Sequence, residues 1–363
     1  MKILLSIFAI VYCFSCKGQM TDSFHLTGHI DRDSGSVVIF CGGYYGDYPE
    51  LMGFNPVPVS NGKFIIQERL PYPIYVMLKF SSGDQIYITD RFYIGPGNQQ
   101  IECHADSLRE RVGIQNATQS EYNTSYLTKE FLLIDTVNDY YQGLNLRRSY
   151  LYHYALENPD SYVALWKISD YLGSGYNKWL DSAFHVLSEK IKNTETGKLI
   201  RNDLAHLALT DTGRILPNLV LTDMNGTQKS FSFKKNKSKY TLVDFWFAHC
   251  GACNSEFPTY MKLYKTHHIK GFNIVGISID SSAADLKAWK HIIQTKPLLW
   301  TQYRANPKSI DDLRIHYFPS NFLVDGSGKI LAVNLGAPEV AEFIRKKLKD
   351  LNRPGTIKNK APL

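Results

Sequence analysis

The chain has 363 residues, 44% hydrophobic and 21% charged, which is the composition of a folded globular protein with room for two or three domains. The formal net charge of +7 is modest, and part of it sits in two runs, Lys234-Lys235-Asn236-Lys237-Ser238-Lys239 and Arg345-Lys346-Lys347-Leu348-Lys349. Neither run is interleaved with aromatic residues, so both read as solvated faces and a nucleic-acid role is excluded.

Residues 1–15 carry one lysine followed by the apolar run from Ile3 to Val11. That is the charged start and apolar core of a secretory signal, too short to span a bilayer as a helix. Ser15-Cys16 puts a small residue before a cysteine, which resembles a bacterial lipoprotein cleavage site. The resemblance implies lipidation at Cys16, a short tether over residues 16–23, and a membrane-anchored place in the cell envelope, where disulfides persist. Plain export or an uncleaved anchor is the alternative.

Residues 24–115 read as short strands separated by turns. Phe24 to Ile30 alternates, Ser36 to Phe40 is β-branched, and Asn61-Gly62 is a hairpin turn ahead of Lys63-Phe64-Ile65-Ile66. Ile74 to Phe80 and Asp90 to Ile94 continue the series, and Gly95-Pro96-Gly97-Asn98 is a further turn. The expectation is an antiparallel β-sandwich-like domain. Its order of glycines and aromatics resembles the DUF4369-type domain of Bacteroidetes envelope proteins, which implies no catalytic residues. Cys41 and Cys103 lie here, either as a disulfide or as two buried thiols.

Over residues 116–212 the period becomes helical. Tyr126, Phe131, Leu132, Ile134 and Val137 mark one face. Asn158-Pro159-Asp160-Ser161 stops one helix and starts the next. Tyr162, Leu165, Trp166, Ile168 and Tyr171 follow, then Ala183, Phe184, Val186, Leu187 and Ile191, and these stripes read as core. Asn193 to Lys198 reads as a linking turn.

Residues 213–352 alternate strand and helix, the pattern of an α/β domain with a central sheet flanked by helices. A hairpin with an Asn225-Gly226 turn opens it. Thr241 to Phe247 is a nearly continuous apolar run, expected of a strand covered on both faces, and Cys250-Gly251-Ala252-Cys253 follows at the start of a helix. Two thiols at this spacing can close a small disulfide ring. The free N–H groups and dipole at a helix N-terminus favour a thiolate at the first, as thiol–disulfide exchange requires. Phe272 to Asp280 is a second buried strand, Ser281 to Thr295 a helix, Asn321 to Asp325 a strand, and Pro338 to Leu351 the last helix. Residues 353–363 read as a polar, mobile tail. The cysteine pair could also be half of a zinc site. Cys13 and Cys16 lie in the signal segment and Cys41 and Cys103 are far apart in the chain, so no metal is expected, and nothing in the chain implies a cofactor.

Asp244, Phe245, Trp246, Cys250, Cys253, Glu256 and Pro258 match the active-site pattern of the thioredoxin superfamily. The stretch resembles its envelope-facing TlpA/ResA-like thiol–disulfide oxidoreductases in particular. His249 stands where that family usually has Trp, and Ala252 where Pro is commonest, which leaves the direction of electron flow open. The resemblance implies Cys250 as attacking thiolate, Cys253 as resolving thiol, and Asp244 as a buried acid beneath the pair. It also implies a cis peptide at Phe318-Pro319, beside which a substrate strand docks, with Trp246 and His249 as further candidate contacts. His249 could equally stabilise the Cys250 thiolate if protonated. The expected partners are disulfide-containing envelope proteins as substrates and a membrane thiol as electron donor, with reduction favoured over oxidation. Two other readings stand beside it. In a thiol peroxidase a Pro-x-x-x-Thr-x-x-Cys pattern would precede Cys250, and it does not. A non-catalytic binding lipoprotein would use the fold as a scaffold, against which the intact cysteine pair, Asp244 and Pro319 argue.

Overall fold

The computed structural model describes residues 22–41, 55–104, 113–134, 140–173, 175–233, 238–296, 298–315 and 317–350. The expectations for the signal segment, Cys16, residues 234–237 and the tail after residue 352 lie outside these. The described residues cluster into two compact units, one ending at Gln119 and the other running from Ser120.

The first unit is built on β1 (Ser23–Ile30), β2 (Ser34–Cys41), β3 (Val57–Ser60), β4 (Lys63–Arg69), β5 (Ile74–Ser82), β6 (Gln85–Ile88), β7 (Phe92–Ile94), β8 (Gly97–Cys103) and β9 (Gly113–Ile114). They form one nine-stranded sheet in the order β6-β5-β2-β3-β4-β1-β8-β9, with β7 on β5. Alternation drives it: in β1, Phe24, Leu26, Gly28 and Ile30 are buried while His25, Thr27 and His29 are less so. Asn61 (φ 48°) and Gly62 (φ 74°) are both left-handed, as a two-residue hairpin between β3 and β4 needs. Most pairs are antiparallel, but β1 and β8 run parallel. The turn expected over residues 95–98 is shorter than its composition suggests, because Gly97 and Asn98 already pair with Phe24 and His25. Cys41 and Cys103 are both buried thiols. Burial pushes each up to about 12.

The second unit begins with helices. A wide π-type turn, Tyr122–Leu127, joins α1 (Ala117–Glu121) to α2 (Thr128–Ile134). The extra residue in that turn rotates the face that follows. Tyr126 therefore points inward, whereas Phe131 and Leu132, expected on the same buried stripe, are 60% and 64% exposed. Then come α3 (Tyr140–Glu157), α4 (Tyr162–Leu172), α5 (Lys178–Val186), α6 (Glu189–Lys192) and α7 (Glu195–Leu207). Ser161 caps α4 by accepting from Ala164 N–H. The segment expected as a linking turn instead starts α7, with Thr194 Oγ accepting from Gly197 N–H. The Lys167 ammonium lies 5.6 to 5.8 Å over the rings of Tyr122, Tyr126 and Tyr171. Glu130 accepts from the Tyr171 hydroxyl at 2.6 Å, so the aromatic stripe is core built around a buried charge.

The same unit continues into a seven-stranded mixed sheet of β10 (Leu219–Thr222), β11 (Gln228–Phe231), β12 (Tyr240–Trp246), β13 (Phe272–Ser278), β14 (Thr301–Ala305), β15 (Ser320–Asp325) and β16 (Ile330–Val333). Their order is β11-β10-β14-β13-β12-β15-β16. The helices are α8 (Gly251–His267), α9 (Ala283–Thr295), α10 (Pro307–Asp312) and α11 (Ala337–Asp350). β12 is central, parallel to β13 and antiparallel to β15. Its side chains alternate between two cores. Leu242 and Trp246 enter one with Phe257, Tyr260, Trp289 and Val340, and Val243 and Phe245 enter the other with Val275, Phe322 and Leu313. Asp244 shares the parity of Leu242 and Trp246, so it points toward α8. The helix α10 ends with Arg314 N–H donating to Asp311 C=O and Ile315 N–H to Ile310 C=O. That is a Schellman arrangement, and its left-handed position, usually glycine, is Arg314 at φ 53°. A side chain there costs about 1–2 kcal/mol.

Candidate active site

β12 delivers its last residues to the N-terminus of α8, and Cys250 is the capping residue, with extended backbone (φ −75°, ψ 99°). Cys253 N–H donates to Cys250 Sγ at 3.0 Å, so the first sulfur takes the place of a capping oxygen. Cys250 and Cys253 form a disulfide with a Cα–Cα distance of 5.3 Å. Cys250 is 5% exposed and Cys253 1%, while Gly251 and Ala252 between them face solvent. The loop before the pair is braced. Asn254 Nδ2 donates to the carbonyls of Ala248 (3.0 Å) and Cys250 (2.8 Å), and Lys296 Nζ donates to Asn254 Oδ1 at 2.8 Å. Ala248 N–H donates to Asp280 Oδ2 at 2.9 Å.

Asp244 is 1% exposed. Its Oδ1 has no hydrogen-bond partner. Burial first, then the nearby Glu256 carboxylate, hold its carboxyl well above the usual range. Glu256 is also raised, chiefly by burial, although it accepts from Tyr260 Oη at 3.0 Å and from Ala337 N–H at 3.2 Å. Two partly or wholly desolvated carboxyls thus lie on the sheet-facing side of the helix that carries the disulfide. Only one of them was assigned a site role from sequence. The signal for Glu256 was its spacing, three residues after Cys253 and so on the same helix face, with Tyr260 four residues further.

The peptide Phe318-Pro319 is cis. Register explains why it lies at the site: Ser320, the next residue, opens β15 opposite Phe245 of β12. The cis peptide therefore sits at the end of β12 from which the chain leads to the cysteines. Phe318 is half-buried, edge-on to Phe247 with ring centroids 5.4 Å apart. Pro319 is half-buried as well.

Two of the expected contact residues divide. His249 is exposed and pairs with the Asp285 carboxylate at 3.6 Å. Trp246 is fully buried, packed edge-on to Phe257, and its indole N–H donates to Gln302 Oε1 at 3.3 Å. A residue with no exposed surface cannot touch a docked substrate, so Trp246 is a core residue beneath the site. Among the described residues no group of three His, Cys, Asp or Glu side chains is placed to hold a metal ion.

The Redoxin family model matches residues 211–347, which span β10 through most of α11. Thiol-disulfide oxidoreductase ResA of Bacillus thuringiensis and that of Bacillus anthracis are each 28% identical over 124 residues, 34% of this chain and 69% of theirs. Among solved structures, the thioredoxin domain of a thiol-disulfide oxidoreductase from Bacteroides vulgatus is 33% identical, covering 38% of this chain and 98% of that one, with a TM-score of 0.34. A thiol:disulfide interchange protein from Bacteroides sp. is 32% identical over 41% of this chain and 95% of its own, with a TM-score of 0.35. The family match lies in the C-terminal half of the chain. With a cysteine pair at a helix N-terminus and a cis-proline beside it, the chain belongs to the thioredoxin superfamily, as a TlpA/ResA-like thiol–disulfide oxidoreductase.

Proposed function

We propose that this oxidoreductase reduces disulfides of exported proteins in the cell envelope, tethered by lipid at Cys16. The observation that carries the reaction is the Cys250–Cys253 disulfide at the α8 N-terminus with the buried, raised Asp244 carboxyl on the helix-facing side of β12. The disulfide is the oxidised product of such a reductase. In the reduced enzyme Cys250 is the thiolate, favoured by the Cys253 N–H and the helix dipole. It attacks one sulfur of a substrate disulfide, and the substrate's other sulfur leaves and takes a proton. Cys253 then loses its proton to the Asp244 carboxylate and attacks Cys250 Sγ. The Cys250–Cys253 bond forms, the bond to substrate breaks, and two electrons have passed to the substrate. A membrane dithiol returns the enzyme to its reduced state. The envelope location rests on the apolar run after Lys2 and on Ser15-Cys16.

Equilibration of the mature protein with dithiothreitol or glutathione tests the direction. A reduction potential near that of thioredoxin, about −270 mV, is expected of a reductase. A value near about −120 mV would make it an oxidant. A pair that failed to cycle would leave a binding lipoprotein as the better reading.

A further inference from the structure

The helical segment before the redox module is not named by any part of the chemistry, yet two of its residues grip the loop that carries the cis-proline. The first grip is electrostatic. Asp203 of α7 is 1% exposed and pairs with Arg314 Nε at 3.1 Å, with the Arg314 side chain only 19% exposed. Arg314 stands at the left-handed position that ends α10, where glycine is the natural residue. An arginine kept there against its backbone preference has a use for its side chain, and Asp203 is what it reaches. The second grip is steric. Gly173 ends α4, and a Cβ added to it would lie 2.5 Å from the ring of Tyr317. Its backbone is ordinary right-handed helix, φ −58° and ψ −22°, so the absence of a side chain serves the ring and not the chain direction. Tyr317 immediately precedes Phe318-Pro319, and its carbonyl accepts from Ser320 Oγ at 2.7 Å, closing the cis turn on itself.

We infer that Asp203, Arg314 and Gly173 are positioning residues for substrate docking: the helical segment holds the strand-facing edge beside Pro319 in place for a protein disulfide, without touching the dithiol. The inference rests on the proposed reductase reading. It makes the helical segment a determinant of KM for polypeptide substrates, whereas the electron chemistry stays with Cys250 and Cys253. A small disulfide needs no strand docked beside Pro319 and is blind to the grip.

Three variants of the full mature chain separate this from a merely structural role. Asp203→Asn breaks the ion pair. Arg314→Gly breaks it while relieving the backbone. Gly173→Ala adds a residue that favours helix yet displaces Tyr317. Each is assayed for reduction of insulin and of a small aromatic disulfide, for reduction potential, and for thermal midpoint. The expected result is a KM for insulin raised about threefold or more in all three, with kcat on the small disulfide and the reduction potential within error of wild type. Arg314→Gly is the decisive case, since its backbone gain opposes any general loosening, and Arg314→Lys should recover part of the effect. Unchanged KM for insulin in Arg314→Gly and Gly173→Ala overturns the inference. So does a loss that falls equally on both disulfides or tracks the thermal midpoint. Failure of the wild type to reduce either disulfide would instead sink the reductase reading itself.

Discussion

Replacing Asp244 with asparagine tests whether this carboxyl, on the α8 side of β12, is held neutral by its burial. The side chain is 1% exposed and Oδ1 has no partner, so in the folded protein a charge on that oxygen is met by neither water nor a donor. Its folded pKa is raised well above the ordinary value by burial and by Glu256. The sign follows from linkage. The folded state keeps the proton that the unfolded chain releases above about pH 3.9, so the stability gained from that proton is complete below this value and is lost as pH rises toward the folded pKa. The loss is about 1.4 kcal/mol for each pH unit over which the folded carboxyl stays protonated. The substituted amide has no proton to lose, and any repacking around it is the same at every pH. The difference in unfolding free energy between variant and wild type should therefore grow in favour of the variant as pH rises. Urea titrations of the oxidised proteins at pH 5, 6, 7 and 8, followed by tryptophan fluorescence, would measure it. At urea slopes of about 1–3 kcal/mol/M, the wild-type midpoint should fall relative to the variant by about 0.5–1.4 M for each such pH unit. A difference independent of pH would refute the reasoning and mean that the folded Asp244 ionises as readily as the unfolded one.

Trp246→Phe should keep the packing against Phe257 but leave Gln302 Oε1 without the indole N–H, at a cost of about 1–3 kcal/mol in urea unfolding and with little effect on the reduction potential. Cys41 and Cys103, each held near 12 by burial, have a thiolate fraction of about one in ten thousand at pH 8. Intact-mass analysis after iodoacetamide should show no adduct on the native oxidised protein and adducts on both residues in urea. Glu256→Gln removes the charge that helps to raise Asp244, so the acidic limb of the turnover–pH profile should move to lower pH. A limb that stays in place would dissociate the two carboxyls.

How far the sequence could be read depended on where the physical signal was local. The run from Leu242 to Phe247 followed by Cys250-Gly251-Ala252-Cys253 announces a strand feeding a helix, and β12 and α8 form there with Cys250 as cap. The parity that turns Asp244 toward α8 is written in the same alternation. β14 and α10 left no such mark, because Thr301–Ala305 is polar and owes its strand conformation to pairing with β13 and β10. The parallel contact of β1 with β8 is likewise invisible in period-2 alternation, which reports a buried face and not a partner. Trp246 misled for a related reason. An aromatic next to a motif looks like a contact, but the residue ends an inner strand and its N–H is already engaged. Phe131 and Leu132 were displaced by a wide turn whose extra residue no periodicity reports. The grip of Asp203 on Arg314 spans more than a hundred residues of chain and appears only once α7 and α10 are in place.

Asp244 also has a kinetic consequence on the proposed mechanism. An ordinary aspartate titrates near about 3.9 and a cysteine near about 8.5, so such a carboxylate is a poor acceptor for a thiol proton. Raising the carboxyl brings the two closer, and proton transfer is most effective where they match. Burial supplies that rise, and the resulting loss of stability falls on the residue that faces the α8 side of the sheet. The first chemical step does not need this base, since Cys250 has the helix N-terminus and the Cys253 N–H. The second step does, since Cys253 is 1% exposed and cannot give its proton directly to bulk water. Asp244→Asn should therefore leave attack by Cys250 nearly unchanged and slow release, so that a mixed disulfide with substrate accumulates. Acid quenching of a single turnover and intact-mass analysis would show the adduct, with Cys253→Ser as the variant that cannot resolve it. A slowing of about tenfold to a hundredfold is expected from the loss of one general base. An adduct that resolves at the wild-type rate would show that water or another group takes the proton of Cys253.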